Sequence, residues 1–156
     1  MLSMANTYAA LYYHVIFSTK NREDFIHRDL ESRVWAYLGG IADENDFKAI
    51  AVGGTANHVH LLLSLPPNLA VSKAAQLLKG GTSAWIKDAR PPIPRLSHFA
   101  WQDGYAVFSV SQSQLDGVVK YIKEQREHHR TKTFEEEYRA FLAKHQIAGD
   151  EKYLWG

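Results

Sequence analysis

Two different hydrophobic periods alternate along the first half of the chain, and each predicts a different element. Residues 12–19 are rich in aromatic and β-branched side chains and predict a first strand, and residues 47–52 predict a second. Between them, residues 29–45 carry apolar side chains three or four positions apart, which is typical of an amphipathic helix. The inner face of that helix would consist of Leu30, Val34, Tyr37, Leu38 and Ile41.

An unbroken apolar run over residues 57–65 is too short for a helix and predicts the third strand. Gly53-Gly54 begins the short connection to it, so we expect the second and third strands to form an antiparallel hairpin. Because residues two apart on a strand share a face, His58 and His60 would point the same way. The opposite face would carry Val59, Leu61, Leu63 and Leu65.

The middle of the chain predicts one more helix and one more strand. Residues 70–89 predict the helix, in which the Gly80-Gly81 pair marks a bend or the close approach of another chain. Residues 90–99 form a proline-rich loop, and residues 104–110 predict the fourth strand.

Two helices are predicted to complete the chain. A helix over 113–130 begins with Ser113 and Asp116 at capping-box spacing, and a helix and tail over 133–156 begin with Thr133 and Glu136 in the same relation. The tail ends in the apolar Tyr153-Leu154-Trp155, which we expect to pack on the fold.

The order of elements, β-α-β-β-α-β followed by two helices, predicts a single α+β domain over residues 1–156. It is the ferredoxin-like plan, with one antiparallel four-stranded sheet and helices on a face. The first and third strands are central in that plan, so the histidine strand would be a stiff support.

Composition limits the class of protein. The chain has 156 residues, 46% of them hydrophobic and 22% charged, which is typical of a globular domain with its own core. No apolar run approaches the roughly 20 residues of a membrane span, and no signal peptide begins the sequence. Because cysteine is absent, disulfides and thiolate metal sites are excluded. We therefore expect a cytoplasmic protein.

Basic residues are unevenly distributed although the net charge is only +1. Five basic residues oppose one acidic residue over residues 67–95, and five oppose two over residues 120–132. This clustering is typical of a surface that binds a polyanion, but also of a solvated helix face.

Candidate chemistry begins with the histidines. Two imidazoles on one face of a rigid strand can bind a divalent metal, although such pairs are also typical of hydrogen-bonded surface histidines. His14 faces the same side as Ile16 and Ser18, and is either a support for such a site or a core histidine.

A second candidate lies on the helix over 113–130. Tyr121 and Gln125 share a helical face, with His128 about one turn further on. The Gln125 carbonyl can complete a metal's shell and the Tyr121 phenol can attack phosphorus, but pairs at this spacing occur on many helices.

Three stretches together carry a resemblance to a known family. They are Tyr12-Tyr13-His14-Val15-Ile16-Phe17-Ser18-Thr19-Lys20-Asn21-Arg22, then Asn57-His58-Val59-His60, then Tyr121-Ile122-Lys123-Glu124-Gln125 with His128-His129-Arg130. The combination resembles the single-tyrosine HUH transposases of the insertion-sequence-200/605 type, which include REP-associated tyrosine transposase relatives. The similarity extends from about residue 8 to residue 155.

The resemblance implies a DNA transposase that is a metal-dependent single-strand DNA endonuclease and strand transferase at hairpin-flanked sites. His58, His60 and Gln125 would bind Mg²⁺ or Mn²⁺, which polarises the scissile phosphate. Tyr121 would be the nucleophile and form a 5′-phosphotyrosine link with a free 3′-hydroxyl. We expect Lys120, Lys123 and the metal each to favour the phenolate.

The resemblance also implies partners. These are single-stranded DNA with hairpins and a second copy of the chain, with each site built from one chain or from two; no membrane partner is expected. Phosphate contacts are expected at Lys20, Arg22, Lys73, Lys79, Lys87, Lys120 and Arg126.

Two alternatives stay open on the sequence. One is a host-adapted HUH nickase that acts on chromosomal repeats with the same chemistry. The other is a non-catalytic ferredoxin-like nucleic-acid binder that stacks bases on sheet aromatics.

Overall fold

A computed structural model describes residues 7–88 and 96–149, and the strands of that part form one antiparallel sheet. The strands are β1 Tyr12–Ser18, β2 Lys48–Thr55, β3 His58–Ser64 and β4 Ala106–Val110, in the order β2-β3-β1-β4. β1 and β3 are central, and the predicted ferredoxin-like plan is confirmed.

Helices cover both faces of the sheet, whereas helices on one face were expected. The helices are α1 Arg28–Glu44, α2 Val71–Lys87, α3 Leu115–Lys123, the short α4 Gln125–His128 and α5 Phe134–Lys144. The apolar residues of α1 and α2 pack on one face of the sheet, against Val15, Phe17 and Leu61 among others. On the other face, α3 packs on Leu62 and α5 packs on Ile16 and Phe108.

The alternation predicted for the histidine strand is confirmed. Val59, Leu61, Leu63 and Leu65 lie in the core under α1 and α2. His58 and His60 therefore lie on the opposite face, under the C-terminal helices, and both are fully buried. Each leucine on such a face contributes about 1.5–3 kcal/mol by leaving water, so the register of β3 is strongly fixed.

The β2–β3 hairpin is confirmed, but Gly53-Gly54 is not its connection. Both glycines lie in β2, where they pair with His60 and Val59, and residues 56–57 make the turn. A Cβ on Gly53 would lie 2.3 Å from the carbonyl oxygen of Ile122. Glycine in this strand therefore lets the backbone of α3 come close to the sheet.

The other glycine pair also marks a close approach. Gly80 and Gly81 lie within the continuous helix α2, and a Cβ on Gly81 would meet Ile41 Cδ1 at 2.8 Å. The approaching element is α1 of the same chain, whereas a second chain was among the expectations.

Three details of the helices differ from the sequence predictions. Tyr37 is 37% exposed and stacks on Trp85, so it does not belong to the inner face of α1. The capping box predicted from Ser113 is wrong, because Ser113 lies in a 3₁₀ turn and α3 begins after Gln114 with no side-chain cap. The predicted helix over 113–130 is interrupted at Glu124, whose φ and ψ are −101° and 23°.

The capping box at the start of α5 is present as predicted. Thr133 Oγ1 accepts from the Glu136 amide at 3.2 Å, and Glu136 Oε1 accepts from the Thr133 amide at 3.1 Å. The predicted end of the second helix at residue 89, most of the proline-rich loop and the 153–155 tail lie outside the described residues. Among the described helices, none is long and apolar enough to cross a membrane.

Candidate active site

The two histidines of β3 are held by hydrogen bonds on one side of each ring. His58 Nδ1 lies 2.9 Å from Asn57 Oδ1 and 3.0 Å from Thr55 Oγ1. His60 Nδ1 lies 2.8 Å from Nε2 of His14 on β1. Both Nε2 atoms are thereby left to face the C-terminal helices. His14 is a buried, hydrogen-bonded histidine of the sheet, and its contact orients the ring of His60.

The C-terminal helices bring an amide and a carboxylate to these Nε2 atoms. Gln125 Oε1, at the start of α4, lies 3.0 Å from His58 Nε2. Glu137 Oε1, on α5, lies 2.9 Å from His60 Nε2 and 3.7 Å from His58 Nε2. The break at Glu124 therefore occurs where the chain turns Gln125 into the site.

Glu137 is the residue that sequence reasoning missed. Its signal is an acidic residue among apolar ones, because Phe134, Tyr138 and Phe141 form the packed face of α5 and Glu137 lies between them on the helix surface. An acid that is 2% exposed on such a face needs partners, and here they are the site's own groups.

The donor set fits a divalent metal ion. His58, His60 and Glu137 offer one ligand atom each, and those atoms lie within 4.8 Å of one another. Neighbouring ligands of an octahedral ion, each at about 2.1 Å from it, lie about 3 Å apart. The 3.0 Å contact of Gln125 Oε1 with His58 and the 2.9 Å contact of Glu137 Oε1 with His60 are near this spacing, whereas Glu137 Oε1 is 3.7 Å from His58 Nε2. Gln125, the predicted third ligand, and Glu137 both lie close enough to be candidates for the role.

Burial and neighbouring charged groups set the protonation states of this cluster. Burial, with His60 nearby, lowers the pKa of His58 to about 3, so its ring is neutral at neutral pH, as a metal ligand must be. Burial raises the pKa of Glu137, but hydrogen bonds from His129 and His60 outweigh it and hold the carboxyl ionised. Burial of His129 is likewise outweighed by Glu137, which raises the pKa of that imidazole.

His129 is a second neighbour that was not predicted as a site residue. Its Nε2 lies 3.2 Å from Gln125 Oε1 and 3.3 Å from Glu137 Oε1. It therefore links the same amide and carboxylate oxygens that face the β3 histidines.

Tyr121, on α3, points into the same cluster. Its hydroxyl donates to Glu137 Oε2, and its ring stacks on His128 with a centroid distance of 4.4 Å. The phenolate that Lys120 and Lys123 were expected to favour is not what the structure shows. Burial raises the pKa of Tyr121 well above its ordinary value, and the anionic Glu137 raises it further. The phenol is therefore protonated in this arrangement.

The predicted phosphate contacts fall into two groups. Lys20, Lys73, Lys87 and Lys120 have exposed side chains. Arg22 instead pairs with Glu135 at 2.8 Å and Arg126 with Glu31 at 2.6 Å. Lys79 donates to the backbone carbonyls of residues 102, 103 and 104, so here it holds that loop.

Comparison with known proteins identifies transposases as relatives of this chain. A family model described as "Transposase IS200 like" matches residues 7–125. The ISDra2 transposase TnpA of Deinococcus radiodurans is 28% identical over 117 residues, which is 74% of this chain and 84% of that protein. The transposase for insertion sequence element IS200 of Salmonella typhimurium is 27% identical over 128 residues, or 80% and 83% of the two chains.

Two solved structures share the fold. A transposase structure from Deinococcus radiodurans R1 superposes with a TM-score of 0.63 at 26% identity, covering 80% of this chain and 98% of that one. A REP-associated tyrosine transposase, solved bound to a REP hairpin, superposes with a TM-score of 0.58 at 14% identity, covering 83% and 74%.

The fold and site described above consist of an antiparallel sheet, two buried histidines on β3 and a tyrosine-bearing helix packed over them. The family match covers most of the chain and includes all three of those parts. The chain belongs to the IS200-like transposase family.

Proposed function

We propose that this transposase cuts and rejoins single-stranded DNA through Tyr121, beside a divalent ion held by His58, His60, Gln125 and Glu137. The observation that carries this assignment is the meeting of a phenol hydroxyl and a metal-type donor set in one buried cluster of one chain. The family membership supports the transposase class, and the positions of Tyr121 and of the donor set support the residue roles.

The reaction uses Tyr121 as a nucleophile. The phenol gives its proton to water, its oxygen forms a bond to the scissile phosphorus, and the bond from phosphorus to the 3′-oxygen breaks. The departing 3′-oxygen takes a proton from water, which leaves a 5′-phosphotyrosine link. Attack by another 3′-hydroxyl reverses these steps and joins new DNA ends without a nucleotide cofactor.

A divalent ion in this cluster, Mg²⁺ or Mn²⁺, would supply positive charge that polarises a phosphate oxygen and offsets the Glu137 carboxylate. The chain's own residues orient the donors. Asn57 and Thr55 fix the ring of His58, and His14 fixes the ring of His60, so both Nε2 atoms face one point.

Hairpin-bearing single-stranded DNA is the proposed substrate. The support is the exposed basic side chains of Lys20, Lys73, Lys87 and Lys120, together with the hairpin to which a fold neighbour is bound. Arg22, Lys79 and Arg126 would join them only by leaving their present partners. With DNA as substrate, the cytoplasm remains the proposed compartment.

The test is incubation with single-stranded DNA that flanks the gene, with Mg²⁺, Mn²⁺ or a chelator. We expect a covalent protein–DNA adduct only with metal. His58→Ala and His60→Ala should abolish the adduct yet change hairpin affinity by less than about threefold, because phosphate contacts carry most of the affinity. An adduct formed at normal rate by the double histidine variant contradicts the metal assignment. Tight binding with no cleavage under any condition would instead favour a non-catalytic binder.

A further inference from the structure

Glu137 lies outside the part of the chain that the family model matches. The match ends at residue 125, and Glu137 follows it by 12 residues, on α5. The carboxylate is nonetheless in the middle of the site. Its Oε1 faces the two β3 histidines and its Oε2 accepts from the Tyr121 hydroxyl. A single rigid group therefore connects the nucleophile to the histidine cluster.

The position of Glu137 is fixed by the packing of α5. The helix begins at the Thr133–Glu136 capping box, and Phe134 and Tyr138 pack against Ile16 and Phe108 of the sheet. Residues on both sides of Glu137 are thus anchored in a hydrophobic cluster. A carboxylate presented in this way has little freedom to leave the site.

The ring of Tyr121 is held from two further directions. His128 stacks on it with a ring-centroid distance of 4.4 Å and an interplanar angle of 28°. Phe141 contacts it edge to face, with a ring-centroid distance of 5.7 Å and an interplanar angle of 78°. These contacts set the plane of the ring, and the hydrogen bond to Glu137 sets where the hydroxyl oxygen lies.

We propose that Glu137 is a positioning residue that tethers the Tyr121 hydroxyl to the histidine cluster of the same chain. The proposal rests on the function assigned above to Tyr121. Holding a nucleophile near its point of attack removes much of the entropy cost of the reaction, and a displacement of about 1 Å can cost about 100-fold in rate. Glu137 lies on α5, so the residues that this mechanism requires extend beyond the segment that the family model covers.

The kinetic test separates positioning from binding. Glu137→Gln keeps the shape of the side chain but removes the charge that strengthens its bond to the phenol. At saturating DNA and metal, we expect adduct formation to slow by about 10- to 100-fold. Hairpin affinity should change by less than about twofold, because Glu137 makes no phosphate contact in this account. Mn²⁺ titration of each variant ensures that rates are compared at saturated metal.

The matched control is Glu136→Gln. Glu136 is the neighbouring residue on α5, its side chain is exposed, and glutamine also serves at this position of a capping box. It should cleave at the wild-type rate. Glu137→Asp is the second variant: it keeps the charge but shortens the reach, and it should lose rate as well.

A stability measurement tests the tether without DNA or metal. Urea unfolding midpoints are compared for Glu137→Gln, Tyr121→Phe and the double variant. If the two groups are hydrogen-bonded, the shifts are not additive, and the double variant loses less than the sum. Tyr121→Phe combined with Glu136→Gln should be additive.

The outcomes are distinct. Additive shifts for residues 121 and 137, or wild-type cleavage by both Glu137 variants, overturn the tether while leaving Tyr121 as nucleophile. A Tyr121→Phe protein that still forms the adduct overturns the proposed function instead. The unfolding midpoints then still test whether residues 121 and 137 are coupled by a hydrogen bond.

Discussion

Burial of single histidines gives this site a measurable pH response. The folded-state pKa of His58 is about 3, against an ordinary value of 6.5, and burial also lowers the pKa of His14. Between pH 3 and pH 6.5, His58 is protonated in the unfolded chain and neutral in the folded chain. Acidification from pH 6.5 downward therefore favours unfolding. His129 acts in the opposite direction, since its raised pKa adds stability below pH 6.5 that is lost as pH rises.

We predict that the metal-free protein loses stability between pH 7 and pH 5. One proton of difference corresponds to about 1.4 kcal/mol per pH unit. Urea unfolding in the presence of a chelator measures this slope. His58→Gln keeps a polar side chain but cannot titrate, so it should reduce the slope by about one proton. An unchanged slope in that variant would show that His58 is not the group responsible.

At the scale of elements, the contact between α3 and β2 controls where Tyr121 lies. Gly53 has no room for a Cβ because the Ile122 carbonyl comes within 2.3 Å of that position. Ile122 is the residue next to Tyr121, so any displacement of α3 also moves the nucleophile.

We predict that Gly53→Ala lowers the free energy of unfolding by about 1–3 kcal/mol, as overpacking does, and also reduces cleavage. Gly117→Ala is the matched control on α3, where a Cβ meets nothing within 4 Å. Alanine there should be neutral or stabilise by up to about 1 kcal/mol. Chemical denaturation and adduct formation measure both effects. Equal destabilisation by the two variants would argue against a specific α3–β2 contact.

Local periodicity predicted most of the elements, because their buried faces are regular. The strand alternation around His58 and the spacing of α1 needed only side-chain periods. The break at Glu124 was not predictable, since no glycine or proline lies there and the turn depends on Gln125 reaching His58 across the fold. The prediction that Gly53-Gly54 begins a connection failed for the same reason. Glycine is required at residue 53 by the close approach of α3, which is distant in sequence.

At the scale of the whole molecule, the residues of the candidate site were only partly predictable from the sequence. His58, His60, Tyr121 and Gln125 were named from sequence because their spacing matches known motifs. Glu137 depends on α5 folding back over the sheet, which no local pattern specifies. The sequence also left open whether the tyrosine helix serves its own chain or a partner, and in this structure it contacts its own histidines.

We predict that mixing His58→Ala protein with Tyr121→Phe protein does not restore cleavage. Each chain here contains a complete set of groups, so neither variant supplies a whole site to the other. The expected dimer, checked by light scattering at micromolar concentration, does not change this result, because dimers can form with separate sites. The adduct yield of the mixture is compared with an equal amount of wild-type protein. Recovery to a substantial fraction of wild type would show that the site is shared between subunits.

Locating the covalent bond tests the central claim most directly. Protein trapped on a single-stranded suicide substrate is digested, and the DNA-linked peptide is sequenced by mass spectrometry. We predict one linkage, at Tyr121, that is absent in Tyr121→Phe. A linkage at any other residue, or an adduct that persists in the Phe variant, would contradict the assignment of Tyr121 as the nucleophile.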